Sequence, residues 1–148
     1  MMKMARRAHI LMVDDELLVA ATLESFLRDL GFEDIDVAAD LPAAMALMAE
    51  RPPTLGILDV NVGRFTVFPL AERLDALNIP MIFSTGGPLS QIPPKWSSCP
   101  VLSKPFTKAT LLLALQAAGF AALEAVTGTL DGTSFEAAPT EDPLEPAS

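Results

Sequence analysis

Several short apolar runs constrain this chain most, and two of them stop on aspartate. His9-Ile-Leu-Met-Val13 runs into Asp14-Asp15, and Thr54-Leu-Gly-Ile-Leu58 runs into Asp59. Short apolar stretches closed by polar residues fit strands buried on both faces. Ile35–Ala39, Pro80–Ser84 and Pro100–Ser103 read the same way. Helical spacing fills the gaps. From Glu16 to Leu30 the apolar positions are Leu17, Val19, Ala20, Leu23, Phe26, Leu27 and Leu30, and Gly31 stops the helix. Asp40 is placed to cap a second helix, with Pro42 in its first turn and Pro52-Pro53 breaking it after about Arg51. Thr66–Leu77 carries Val67, Leu70, Leu74 and Leu77 on one face. Thr107 caps a last helix through about Ala118, with room to extend to Ala125.

Strands that alternate with helices predict a parallel sheet covered on both sides. The expected fold is α/β: a doubly wound, five-stranded parallel sheet of flavodoxin-like (βα)5 type. Its fourth helix should be short or irregular, because Pro88, Pro93 and Pro94 interrupt residues 86–99. In such sheets the functional site lies at the carboxyl ends of the strands.

The length of 148 residues suits one core, expected over 1–124. Residues 125–148 are acidic and aperiodic and read as a disordered tail. The net charge of -9 is uneven: residues 119–148 hold six acids and no base. Neither part offers a basic patch, which disfavours nucleic acid as a partner. No apolar run is long enough to span a bilayer, so no membrane role is expected. The start, MMKMARRAH, is followed by too short an apolar stretch for a signal peptide. The single Cys99 excludes a disulfide within the chain, and a cytoplasmic location is the default.

The polar residues that carry information fall at strand ends: Asp14 and Asp15, Asp59, Ser84-Thr85, and Lys104. Three clustered carboxylates repel one another, and a hard divalent cation such as Mg²⁺ relieves that repulsion. A lysine and a hydroxyl beside them suit a phosphoryl group carried on a carboxylate, because phosphoryl transfer depends on positioning and charge neutralisation.

Four segments, ILMVDDE, LGILDVN, PMIFSTG and VLSKPF, together resemble the CheY-like receiver domain of two-component response regulators over roughly residues 7–120. The acidic pair begins 45 residues before Asp59, and Lys104 lies 45 residues after it. The resemblance implies that Asp59 is the phosphoacceptor and that Asp15 ligates Mg²⁺ directly. Asp14 would act through metal-bound water, and the Asn61 main-chain carbonyl would be a further ligand. Thr85 resembles the hydroxyl that follows the phosphoryl group, and Lys104 the family's lysine, with a cis bond to Pro105. A sensor histidine kinase or a phosphotransfer protein would be the partner. The function implied is that of a single-domain regulator or phosphate sink, not a conventional enzyme, with Mg-dependent self-phosphorylation and self-dephosphorylation at Asp59. STGG and DVNVG also resemble a stand-alone subclass with a P-F-x-F-A-T-G motif, known mainly from alphaproteobacteria, whose kinases are often of the HWE type. The chain departs from the usual pattern at Val101, where an aromatic switch residue is common. Without that ring, phosphorylation is expected to act by ordering residues 86–99.

Plainer roles compete with each of these. Asp59 could cap a loop, and Asp14 and Asp15 could cap the first helix. Lys104 could be a solvated surface residue and Thr85 a turn residue. His9, at the opposite end of its strand, reads as structural, Phe106 as core, and Cys99 as a small buried or loop residue. Trp96 fits a core plug or a partner contact equally. Two other functions compete with a receiver: a haloacid-dehalogenase-type phosphohydrolase and a degenerate receiver that only binds. The first needs an acid two residues after the nucleophile, where Asn61 stands; the second is disfavoured by the complete residue set.

Overall fold

The computed structural model describes residues 3–4 and 8–121 of the chain, with side chains for 8–121. Nine strands appear: β1 (Lys3–Met4), β2 (His9–Val13), β3 (Asp34–Ala38), β4 (Leu55–Asp59), β5 (Asn61–Val62), β6 (Phe65–Thr66), β7 (Met81–Thr85), β8 (Val101–Ser103) and β9 (Phe120–Ala121). Four helices accompany them: α1 (Leu17–Asp29), α2 (Leu41–Glu50), α3 (Phe68–Ala76) and α4 (Lys108–Ala117). The main sheet is five-stranded and parallel, in the order β3-β2-β4-β7-β8. This is the expected doubly wound, flavodoxin-like arrangement.

The two-residue period of a strand divides the core between the two faces of the sheet. Ile10 and Met12 of β2 face Leu23 and Leu27 of α1 and Leu111 and Leu115 of α4. Leu11 and Val13 face the other way, toward Met48 of α2 and Leu70 and Leu74 of α3. Gly56 in β4 lies under α3: a Cβ there would meet Leu74 Cδ1 at 2.8 Å, so a larger residue would force the Leu74 side chain to shift.

Asp40 caps α2 as expected, its Oδ1 accepting from Ala43 N–H at 2.8 Å. Thr107 caps α4 in a reciprocal arrangement with Thr110. Four expectations need correction. The last helix does not reach Ala125: Gly119 adopts φ +95°, and the chain then runs extended through β9, which pairs in parallel with β1. That register, Lys3 to Phe120, joins the two ends of the described chain, and short-range periodicity gave no sign of it. The third helix starts at Phe68 instead of Thr66, because Phe65-Thr66 is taken up by a hairpin with Asn61-Val62. Leu77 lies past the end of that helix and is exposed. Neither aspartate caps α1; Glu16 is the cap residue, and its side chain makes no capping hydrogen bond.

Two 3-10 turns, Leu89–Gln91 and Pro94–Trp96, stand in place of a fourth helix between β7 and β8, as the prolines predict. Ile92 and Trp96 are nonetheless buried, and the Trp96 ring lies 6.0 Å from Phe83 and 5.9 Å from Phe68. Trp96 Nε1 donates to Asp75 at 3.0 Å. Trp96 is thus a core plug, and the later part of 86–99 is anchored before any phosphorylation. The expected disordered tail, 125–148, lies outside the described residues.

Candidate functional site

The ends of β2, β4, β7 and β8 each deliver part of the site to the same edge of the sheet. The β2 ladder continues one residue past the strand, with Asp14 N–H bonded to Ala38 O at 3.1 Å. This fixes the Asp14 backbone, and its side chain is buried, accepting from Glu16 N–H at 2.9 Å. Asp15 points outward and accepts from Gly63 N–H at 2.7 Å, tying the β2 end to the loop after β4. Asp59 closes β4, buried to 7% exposure. Carboxylate oxygens of Asp14, Asp15 and Asp59 lie within 4.8 Å of one another.

Lys104, just beyond β8, answers this negative charge. Its backbone N–H bonds Thr85 O at 2.9 Å, extending the pairing with β7. Its Nζ lies 3.2 Å from Asp14 Oδ2, 3.3 Å from Asp59 Oδ2 and 3.0 Å from Glu16 Oε1. The Lys104-Pro105 bond is cis, as expected.

Burial acts most strongly on Asp59. Desolvation, and after it the negative charge of Asp14, push its pKa up to about 6 against the opposing pull of Lys104 and the Asn61 backbone N–H. Burial alone would lower the pKa of Lys104. The hydrogen bond to Glu16 and the charges of Asp59 and Asp14 outweigh it and raise the value to about 12. The site therefore holds a fixed cation beside crowded carboxylates.

Thr85 ends β7 with its side chain buried. Its Oγ1 accepts from Gly87 N–H at 2.9 Å, leaving the hydroxyl proton free to donate elsewhere. Asn61 is exposed, and its side chain lies 3.4 Å from Gln91 Oε1. All six expected residues, Asp14, Asp15, Asp59, Asn61, Thr85 and Lys104, thus belong to segments that meet at one sheet edge. The oxygens there suit a hard, oxygen-seeking cation such as Mg²⁺.

His9 stands at the far end of β2, its Nε2 2.8 Å from Asp36 Oδ2, consistent with a structural role. Burial, with the nearby Asp75 charge, raises the pKa of the half-buried Cys99 thiol. Phe106 is only partly buried, edge-on to Phe26 at 6.3 Å. Val101 is partly buried against the cluster that holds Trp96.

Sequence reasoning missed two residues at the site. Glu16 pairs with Lys104 across 88 residues, and its only signal was its place in the Asp-Asp-Glu run. Gln91 approaches Asn61 from a turn 30 residues away and left no sequence signal.

The family model of the response regulator receiver domain matches residues 10–116. SdrG from Sphingomonas melonis Fr1 is similar in structure, with TM-score 0.68 and 37% identity over 75% of this chain and 95% of SdrG. The chemotaxis response regulator CheY4 of Vibrio cholerae gives TM-score 0.64 and 26% identity over 75% of this chain and 98% of CheY4. The response regulator PhyR from Brucella abortus gives TM-score 0.65 and 25% identity over 76% of this chain. The match spans only 47% of PhyR, about half its length. No curated protein matches the sequence.

Proposed function

The chain belongs to the response regulator receiver domain family of two-component signalling, and on that premise we propose that Asp59 accepts a phosphoryl group from a histidine kinase or a phosphotransfer protein. One observation carries this reading: Asp59 is buried among two other carboxylates at a strand end, with Lys104 Nζ 3.3 Å from its Oδ2. A carboxylate needed only for folding gains nothing from such crowding.

In the transfer, an Asp59 oxygen forms a bond to phosphorus while the bond between phosphorus and the donor's histidine nitrogen breaks, and that nitrogen keeps the electron pair. Lys104 balances charge on the phosphoryl oxygens, and the Thr85 hydroxyl donates to one of them. Asp14, Asp15, Asp59 and the Asn61 main-chain carbonyl are the groups that would hold Mg²⁺, Asp14 through water. When bound, the ion would neutralise phosphoryl charge that the carboxylates alone would repel. The protein then acts as a switch with self-phosphorylation and self-dephosphorylation, not as a conventional enzyme.

The receiver unit is taken to span 1–124, with 125–148 as an acidic extension. The protein would work in the cytoplasm as a single-domain regulator, acting through protein contacts or as a phosphate sink. Among the described residues no helix is long and apolar enough to cross a membrane. The STGG and DVNVG segments support the P-F-x-F-A-T-G subclass and an HWE-type kinase as partner. Phosphotransfer from purified HWE-type kinases tests the partner; labelling from other kinase classes alone would reject that assignment. Acetyl phosphate with Mg²⁺ tests the site, with the phosphoryl adduct read by intact-mass measurement.

A further inference from the structure

We propose that the Gln91 side chain positions the water that hydrolyses a phosphoryl group on Asp59, so that the chain carries its own switch-off residue. This rests on the reading of Asp59 as the phosphoacceptor.

Gln91 ends the 3-10 turn Leu89–Gln91, held by its N–H bonding Pro88 O at 3.2 Å. Its carboxamide turns back toward the carboxyl edge of the sheet, where Oε1 lies 3.4 Å from Asn61 Nδ2. A Cβ at Gly87 would stand 3.3 Å from that same oxygen and 3.6 Å from Thr85 Oγ1. The amide therefore lies between the two segments that leave the sheet beside Asp59. On one side is Asn61, two residues past Asp59 on the segment that leaves β4. On the other is Thr85, the end of the strand paired with β4 at Asp59-Ser84. Glycine at 87 leaves this space to Gln91, since a side chain there would crowd the amide.

Hydrolysis needs water in line with the bond from Asp59 oxygen to phosphorus, on the side away from Asp59. Glutamine suits that place: its oxygen accepts from the water while its NH₂ donates to a phosphoryl oxygen. At 3.4 Å the contact with Asn61 is long for a hydrogen bond, so little is lost when the amide takes up water instead. In the step, water oxygen bonds to phosphorus and the bond from phosphorus to Asp59 oxygen breaks. The electron pair stays on the Asp59 carboxylate, and the water proton leaves with inorganic phosphate or solvent.

The full chain would be loaded with labelled acetyl phosphate and Mg²⁺, freed of donor, and followed as label is lost. Gln91→Leu and Gln91→Ala, both checked for an unchanged melting curve, should lengthen the half-life about tenfold, with loading rate changed less than about twofold. Gln116→Leu, an exposed change on α4, should decay like the unaltered protein. Unchanged decay in both Gln91 variants would overturn the proposal. So would equal slowing of loading and decay, which is the mark of a merely structural role. If the unaltered chain takes no label on Asp59, the phosphoacceptor reading has failed and this proposal falls with it, a failure visible before any Gln91 variant is made.

Discussion

Lys104 reaches Asp59 across three adjacent strands of the sheet, its Nζ 3.3 Å from Asp59 Oδ2 and 3.2 Å from Asp14 Oδ2. One cation thus serves both the carboxylate read as phosphoacceptor and one read as part of the metal site. Treatment with acetyl phosphate and Mg²⁺ should therefore place one phosphoryl group on the chain, at Asp59. Intact-mass measurement should show one adduct, and none in Asp59→Asn. An adduct of equal yield in that variant would place the acceptor elsewhere.

Clustered carboxylates without a metal repel one another. Asp15→Asn should weaken Mg²⁺ binding at least about tenfold and raise the melting temperature of the metal-free protein by a few degrees. Melting curves across a Mg²⁺ titration read both effects. An unchanged midpoint of the titration would remove Asp15 from the ligand set.

The pKa of Asp59, raised to about 6, fixes the sign of a pH effect. An acid whose folded pKa lies above its unfolded value binds protons more tightly when folded. It therefore costs stability at neutral pH, and that cost is relieved as pH falls from about 6 to about 4. Asp59→Asn should remove this component and stabilise the metal-free protein at pH 7 by about 1–3 kcal/mol. Denaturant titrations at pH 7 and pH 4.5 test this, and an equal gain at both values would contradict the assigned pKa.

Trp96 packs with Phe68 and Phe83 and donates to Asp75. Trp96→Ala should cost about 3–5 kcal/mol, more than an exposed partner contact could. A loss under 1 kcal/mol would contradict a core role.

Because Ile92 and Trp96 are buried, ordering on activation should be confined to the glycine-containing stretch 86–91. Amide hydrogen exchange with beryllofluoride, standing in for the phosphoryl group, should increase protection there and leave 92–99 unchanged. Equal protection of 86–91 in both states would count against ordering as the switch.

Fold class and most of the candidate site were already determined by the sequence, because both depend on local patterns. Runs such as His9–Val13 state their burial through composition, and a parallel sheet brings its strand ends to one edge whatever the loops do. Asp14, Asp59, Thr85 and Lys104 were legible for that reason. Tertiary structure decided what depends on distance across the chain. The β1–β9 pairing needs both ends of the described chain to meet, and the bond from Gly63 N–H to Asp15 needs two loops to touch. Glu16 reads locally as the start of a helix, yet it pairs with Lys104 across 88 residues. Proline spacing correctly denied residues 86–99 a long helix, but only packing against Phe68 and Phe83 decided that Trp96 would anchor them. Gln91 reaches Asn61 because a 3-10 turn aims it there and Gly87 leaves the space, and no periodicity in the sequence encodes such a meeting.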